Sequence, residues 1–199
     1  GITSTTVVVL ALLAAYPLSR YELRGKGKFL YVIIFMTSLP VNAILVPVFR
    51  MFINLGLQDN LVSIALFMAA TNMPYGIWMT KNFMDAVPVS LEEAARVDGC
   101  TRLQCMYRIV FPLATPGIIS TFIFAFSMCW GEYMYALVNI SSSKMKTFPL
   151  VISNLIFGDI YPWNQIMAGA ILACVPILLV YIFFSNLMVG GATEGGVKA

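Results

Sequence analysis

Six charged side chains crowd into one polar stretch, residues 89–116: Glu92, Glu93, Arg96, Asp98, Arg102 and Arg108. From these an acid–base pair or an ion-pair network could be built. Acid–base catalysis is best served by a group titrating near neutrality, and the chain has no histidine at all. Cys100, Cys105, Cys129 and Cys174 show no C-x-x-C spacing, so neither a zinc site nor a disulfide framework is indicated. No nucleophile–base pair, no G-x-x-x-x-G-K-[ST] and no G-x-G-x-x-G occurs. The expectation is a chain that is not an enzyme and holds neither metal nor cofactor. What the polar stretch can do is recognise another molecule.

Two capping patterns order this stretch. Ser90-Leu91-Glu92-Glu93 has the form of a capping box, with Glu93 reaching back to the Ser90 N–H. It predicts a helix over 91–98, closed by Gly99 in a left-handed C′ position. Thr101-Arg102-Leu103-Gln104 repeats the pattern and predicts a second helix to about Val110, stopping before Pro112. Leu91, Ala94, Ala95 and Asp98 stand at i, i+3, i+4 and i+7 and so share a face. Small Ala94 and Ala95 allow close approach, and Glu93 at the border could pair with a partner's arginine. An amphipathic helix lying on the bilayer is the competing reading, although such helices are usually more basic.

The elements that must position this loop read as membrane. The chain is 60% hydrophobic and 11% charged, against about 45–50% and about 25% in soluble domains; its mean hydropathy is +0.86. A span needs about 20 mostly apolar residues. Candidate spans are 2–18, 29–53, 61–79, 117–138 and 166–189, in one transmembrane domain over 1–199, with the loop at 82–115. Helices are expected because every backbone polar group must be satisfied inside lipid, and the runs are too continuous for barrel strands. The fold class is therefore all-α, a polytopic helix bundle in contact with lipid.

Lys and Arg concentrate on cytoplasmic loops. With the central loop inside, Arg20, Arg24, Lys26, Lys28, Lys81, Arg96, Arg102, Arg108 and Lys198 lie inside, against Arg50, Lys144 and Lys146 outside. The C-terminus is then cytoplasmic and Gly1 external. Five spans, an external start and no initiator Met lead us to expect a first span missing upstream. No basic block indicates nucleic acid.

Glu132 is the one acid well inside a predicted span, and an intramembrane acid is by default a functional candidate. It could line an outer cavity, or serve as a helix-end carboxylate. Asn42 after Pro40 and Asn72 before Pro74 place amides beside broken backbone. Such places line cavities in transporters and equally make interhelical hydrogen bonds. Trp130, Tyr133, Tyr161 and Trp163 read as an aromatic belt. The apolar segment 147–157 is too short to span and is expected as an interfacial helix or a re-entrant piece.

Glu93-Ala94-Ala95, then Gly99, then Ile109 and Pro112, resembles the cytoplasmic signature of membrane subunits of bacterial ATP-binding-cassette importers, with Phe111 where Leu is usual. The preceding Ser90-Leu91-Glu92, the W-x-E-[FY] of Trp130, Glu132 and Tyr133, and the ending with Gly191, Thr193, Gly195 or Gly196, Val197 and Lys198 are similar to the carbohydrate-uptake branch. Nearly the whole chain resembles the shorter permease of maltose or glycerol-phosphate type pairs. The resemblance implies a type I importer permease core in the bacterial inner membrane. A second homologous permease, a dimeric cytoplasmic ATPase carrying ATP and magnesium, and an extracytoplasmic solute-binding protein would be its partners. It implies coupling to the ATPase through Glu92, Glu93, Ala94, Ala95, Asp98, Gly99, Ile109 and Pro112. Asn42, Asn72 and Glu132 are the expected path residues for a sugar or related polyol. The alternative is a stand-alone secondary transporter, which would need more intramembrane ionisable groups than Glu132.

Overall fold

The computed structural model describes residues 1–156 and 161–193, which form helices with no strand among them. Phe157 of the short apolar segment, and Gly195, Gly196, Val197 and Lys198 of the C-terminal motif, lie outside the described residues.

Three helices make the centre: α1 (Ile2–Arg20), α4 (Leu61–Asp85) and α8 (Thr115–Trp130). α1 packs on both of the others, and α4 packs on α8. Their meeting point selects small side chains. Val7, Ala69 and Ala125 form a buried cluster. A Cβ on Gly76 would stand 2.8 Å from Val7 Cγ1 and 3.5 Å from Thr121 Cγ2. A little further inward the Thr80 and Thr121 hydroxyls hydrogen-bond at 3.2 Å, joining α4 to α8. In a bilayer such close packing and hydroxyl pairing replace the hydrophobic drive that water would supply.

The ends of α4 follow from sequence. Asn60 caps it by accepting the Val62 N–H at 2.8 Å. Pro74 lies inside and removes one backbone donor.

The predicted span 29–53 is not one straight helix. α2 (Lys26–Thr37) ends before Pro40, a 3-10 turn covers Val41–Ile44, and α3 (Leu45–Asn54) follows; the two halves bend by 84°. Pro40 holds φ at −70 with an extended ψ of 101 and breaks the helical ladder there. The predicted span 117–138 likewise stops at Trp130, and a short α9 (Met134–Asn139) resumes after a break. By length and apolarity three helices, Ile2–Arg20, Leu61–Asp85 and Trp163–Met188, can each cross a membrane. The pair Lys26–Thr37 with Val41–Asn54 and the pair Arg102–Leu113 with Thr115–Trp130 would each count as one bent span.

α9, α3 and the start of α4 close one end of the bundle around Tyr135. This ring is wholly buried, stacks on Phe67 at 4.3 Å and meets the Phe52 edge at 6.0 Å. Asp59 fixes the neighbouring loop by accepting the N–H groups of Ser141 and Ser142, both at 2.9 Å. α10 (Phe148–Ser153) and the long α11 (Trp163–Thr193) lie outside the centre. α11 is apolar all round, and none of its most apolar window is buried. It touches the bundle mainly along α8, where the Trp130 indole N–H donates to the Ala173 carbonyl at 2.9 Å. Large apolar side chains face outward over most of the surface, as lipid contact demands.

Candidate functional site

The polar stretch folds as α5 (Val89–Val97), a turn at Gly99, then α6 (Arg102–Cys105), a π-turn at Met106–Val110 and α7 (Phe111–Leu113). α5 starts earlier than the Ser90 box predicts. Pro88 holds φ −58 and ψ 130, so the extended-to-helical switch falls on the proline, and the cap receives no side-chain bond. Ser90 is consequently already inside the helix.

The Gly99 turn is as predicted. Gly99 has φ +91. Its N–H donates to the Arg96 carbonyl at 3.1 Å, and the Cys100 N–H donates to the Ala95 carbonyl at 2.9 Å. These two bonds are the paired closure of a Schellman motif. A Cβ at Gly99 would meet nothing within 4 Å, so glycine is required here by backbone conformation alone.

The second box is present in full. The Gln104 N–H donates to Thr101 Oγ1 at 3.3 Å, and the Thr101 N–H donates to Gln104 Oε1 at 2.7 Å. The predicted stop before Pro112 is not observed, because the helix widens instead. A proline clashes with the carbonyl four residues back, and the π-turn at Met106–Val110 makes the room, carrying the helix through Pro112 to Leu113. The chain then bends by 71° into α8.

α5 has two different faces. Glu93, Ala94, Asp98 and Gly99 are exposed and Ala95 is half-buried. Val97 is 88% exposed and Leu103 on α6 is 68% exposed. Leu91 and Asp98 border the same open face. Glu92 points the other way and is only 5% exposed. Its carboxylate forms an ion pair with Arg20 Nε at the C-terminal end of α1 and accepts the Tyr16 hydroxyl at 3.0 Å. Arg20 Nη2 in turn donates to the Val87 carbonyl at 2.9 Å. The Cys105 thiol lies 3.8 Å from the Glu92 carbonyl. Below this pair Ala15, Tyr16, Met84, Val110 and Ala114 form a buried cluster that seats α7 on α1 and α4. Ile109 is half-buried and Pro112 exposed. A cavity of about 230 Å³ opens beside the ion pair, with Arg96 and Arg102 on its wall. The Arg102 guanidinium stands over the Tyr21 ring at 5.5 Å.

The structure gathers the loop residues but does not gather the path residues. Asn42 is exposed in the 3-10 turn. Asn72 is buried, and its amide donates to the Met68 carbonyl of its own helix at 2.7 Å. Glu132 is not inside a helix. It sits in the break before α9, where it accepts the Tyr135 N–H at 2.6 Å. A carboxylate there suits the positive end of the helix dipole.

Sequence reasoning missed the structural use of Tyr16 and Arg20. A signal for one part of it was present. Glu92 and Glu93 are adjacent, hence about 100° apart on a helix, and cannot both face one partner.

The family described as "Binding-protein-dependent transport system inner membrane component" matches residues 7–190. The Escherichia coli K12 inner membrane ABC transporter permease protein YcjP is 34% identical over 199 residues, covering 99% of this chain and 70% of that protein. The sulfoquinovosyl glycerol transport system permease protein SmoH of Agrobacterium fabrum is 31% identical over 99% of this chain and 69% of its own length. Among solved structures, an inward-facing MetNI methionine ABC transporter chain superposes with TM-score 0.76 at 16% identity, over 96% of this chain and 89% of that one.

Proposed function

We propose, from the premise that the chain belongs to the family of binding-protein-dependent transport system inner membrane components, that its central loop is the handle through which a separate ATPase drives the spans. The chain is an ABC importer permease and not an enzyme. Dependence on a binding protein removes the stand-alone carrier reading. We further read the solute as a sugar or related polyol, in keeping with the relative named for sulfoquinovosyl glycerol.

The mechanism follows from the two faces of α5. The exposed face, with Glu93, Ala94, Val97 and Asp98, would enter a cleft on a cytoplasmic ATPase. Ala94 permits close approach, Val97 and Leu103 supply apolar contact, and Glu93 offers a carboxylate for a cationic partner group. Closure of an ATPase dimer on ATP and magnesium would move α5, and the helices seated against it would swing between inward-open and outward-open arrangements. A second permease would supply the other wall of the path, and an extracytoplasmic binding protein would deliver the solute. In this orientation the loop and the C-terminus are cytoplasmic, which agrees with the asymmetry of Lys and Arg. Asn42, Asn72 and Glu132 remain our proposed path residues; Asn42 and Glu132 stand at breaks between helices, whereas Asn72 is buried and bonded within its own helix.

The observation that carries the docking reading is the Gly99 turn, built by a complete Schellman motif and left open to solvent on its outer side. Gly99→Pro cannot adopt φ +91. In the assembled importer it should abolish uptake and release the ATPase from detergent-purified permease, while permease abundance in the membrane stays near wild type. Normal uptake with this substitution would refute the docking assignment.

A further inference from the structure

We propose that Glu92, Arg20 and Tyr16 form a latch that transmits the movement of α5 to α1, making Glu92 a positioning residue for transport rather than a contact for the ATPase. This rests on the docking reading of the loop. Glu92 faces away from the open side of α5, and the side chains of both partners of the ion pair are buried. Tyr16 lies 76 positions from Glu92 in sequence. Chain connectivity links α5 directly only to α4 before it and to α8 after it, through α6 and α7. α1 has no such link; besides its packing on α4 and α8, the side-chain connection is the direct contact by which α1 can follow α5.

The connection is multiple and directional. Arg20 holds Glu92 with one nitrogen and the Val87 carbonyl with another, so one guanidinium grips both the helix and the residue leading into it. Tyr16, one turn further up α1, holds the same carboxylate. Ser19 donates to Asp85 Oδ1 at 2.6 Å, and Asp85 is ion-paired with Lys81, which ties the same end of α1 to the last turn of α4. α1, α5 and the inner end of α4 therefore form one block. An apolar contact could attach α5 as tightly at less desolvation cost, but it would permit sliding; a buried ion pair with further hydrogen bonds fixes one register. Further up, α1 is packed against α4 and α8 at Val7, Ala69 and Ala125. A push on α5 thus reaches the centre of the bundle along α1, whose helix runs unbroken through Pro17 from Arg20 to Val7.

The test uses the assembled importer in proteoliposomes, with binding protein and a transported solute, and reads ATP hydrolysed per solute moved beside co-purification of the ATPase. Glu92→Gln leaves the Arg20 guanidinium without its buried counter-charge; it should keep the ATPase bound, lower uptake at least about tenfold and raise the ATP-to-solute ratio. The exchanged pair Glu92→Arg with Arg20→Glu should recover part of the lost coupling. Glu93→Arg, on the open face, should instead lose the ATPase. If Glu92→Gln accumulates poorly, Tyr16→Phe removes a single hydroxyl and should raise the same ratio. An unchanged ratio in both Glu92→Gln and Tyr16→Phe, or loss of the ATPase by Glu92→Gln in proportion to uptake, would overturn the latch. If Gly99→Pro also kept its ATPase, the docking reading would have failed instead.

Discussion

Two glycines show how the same residue type serves two ends. Gly99 is needed for its φ of +91 and has open space where a Cβ would be. Gly76 has an ordinary helical backbone but no space, with Val7 2.8 Å from the Cβ position. Gly99→Ala should therefore cost about 1–2 kcal/mol of local backbone strain and lower uptake partially, with the bundle intact. Gly76→Val should destabilise the three-helix junction by about 1–3 kcal/mol or more. Thermal denaturation of the purified importer should show a clearly lowered midpoint for Gly76→Val and a smaller shift for Gly99→Ala. The role of Gly99 was readable from its place after a helical run. That of Gly76 was not, because it depends on α1 and α8, distant in sequence. Glu92 was obscured for the same reason, since its orientation is set by Tyr16 and Arg20 on α1.

At the scale of elements, two look-alike patterns had different fates. Thr101-Arg102-Leu103-Gln104 forms its capping box in full, whereas Ser90-Leu91-Glu92-Glu93 forms none, because Pro88 starts the helix first. Thr101→Ala should cost about 0.5–2 kcal/mol of local stability, seen as faster amide hydrogen exchange at Gln104 with exchange at α4 unchanged. Proline meant different things by position. Pro40 breaks a span sharply, while Pro112 is carried through by a π-turn. Hydropathy reports that 29–53 and 117–138 are apolar but carries no direction. The 84° bend and the break at Glu132 were thus invisible to it, although Pro40 and Gly131 stood at the right places.

The whole molecule is a small bundle with one organised polar end. α1, α4 and α8 pack tightly, α11 is almost wholly uncovered, and α5 to α7 hang from the centre on an ion pair and a small apolar cluster. Such a chain leaves large apolar faces uncovered, as lipid contact requires, and one exposed face on α5. All-helical architecture and the helix–glycine–helix form of the loop were legible from composition and spacing. The division of α5 into an exposed outer face and a buried face anchored by Glu92 required the fold.

The most direct test asks what touches the open face of α5. A photoreactive residue at Val97, 88% exposed, should form an adduct with the ATPase chain in membranes containing the assembled importer. The adduct should disappear when Gly99→Pro is added. An adduct with lipid alone, unchanged by removing the ATPase, would identify α5 as a helix resting on the bilayer and contradict the account.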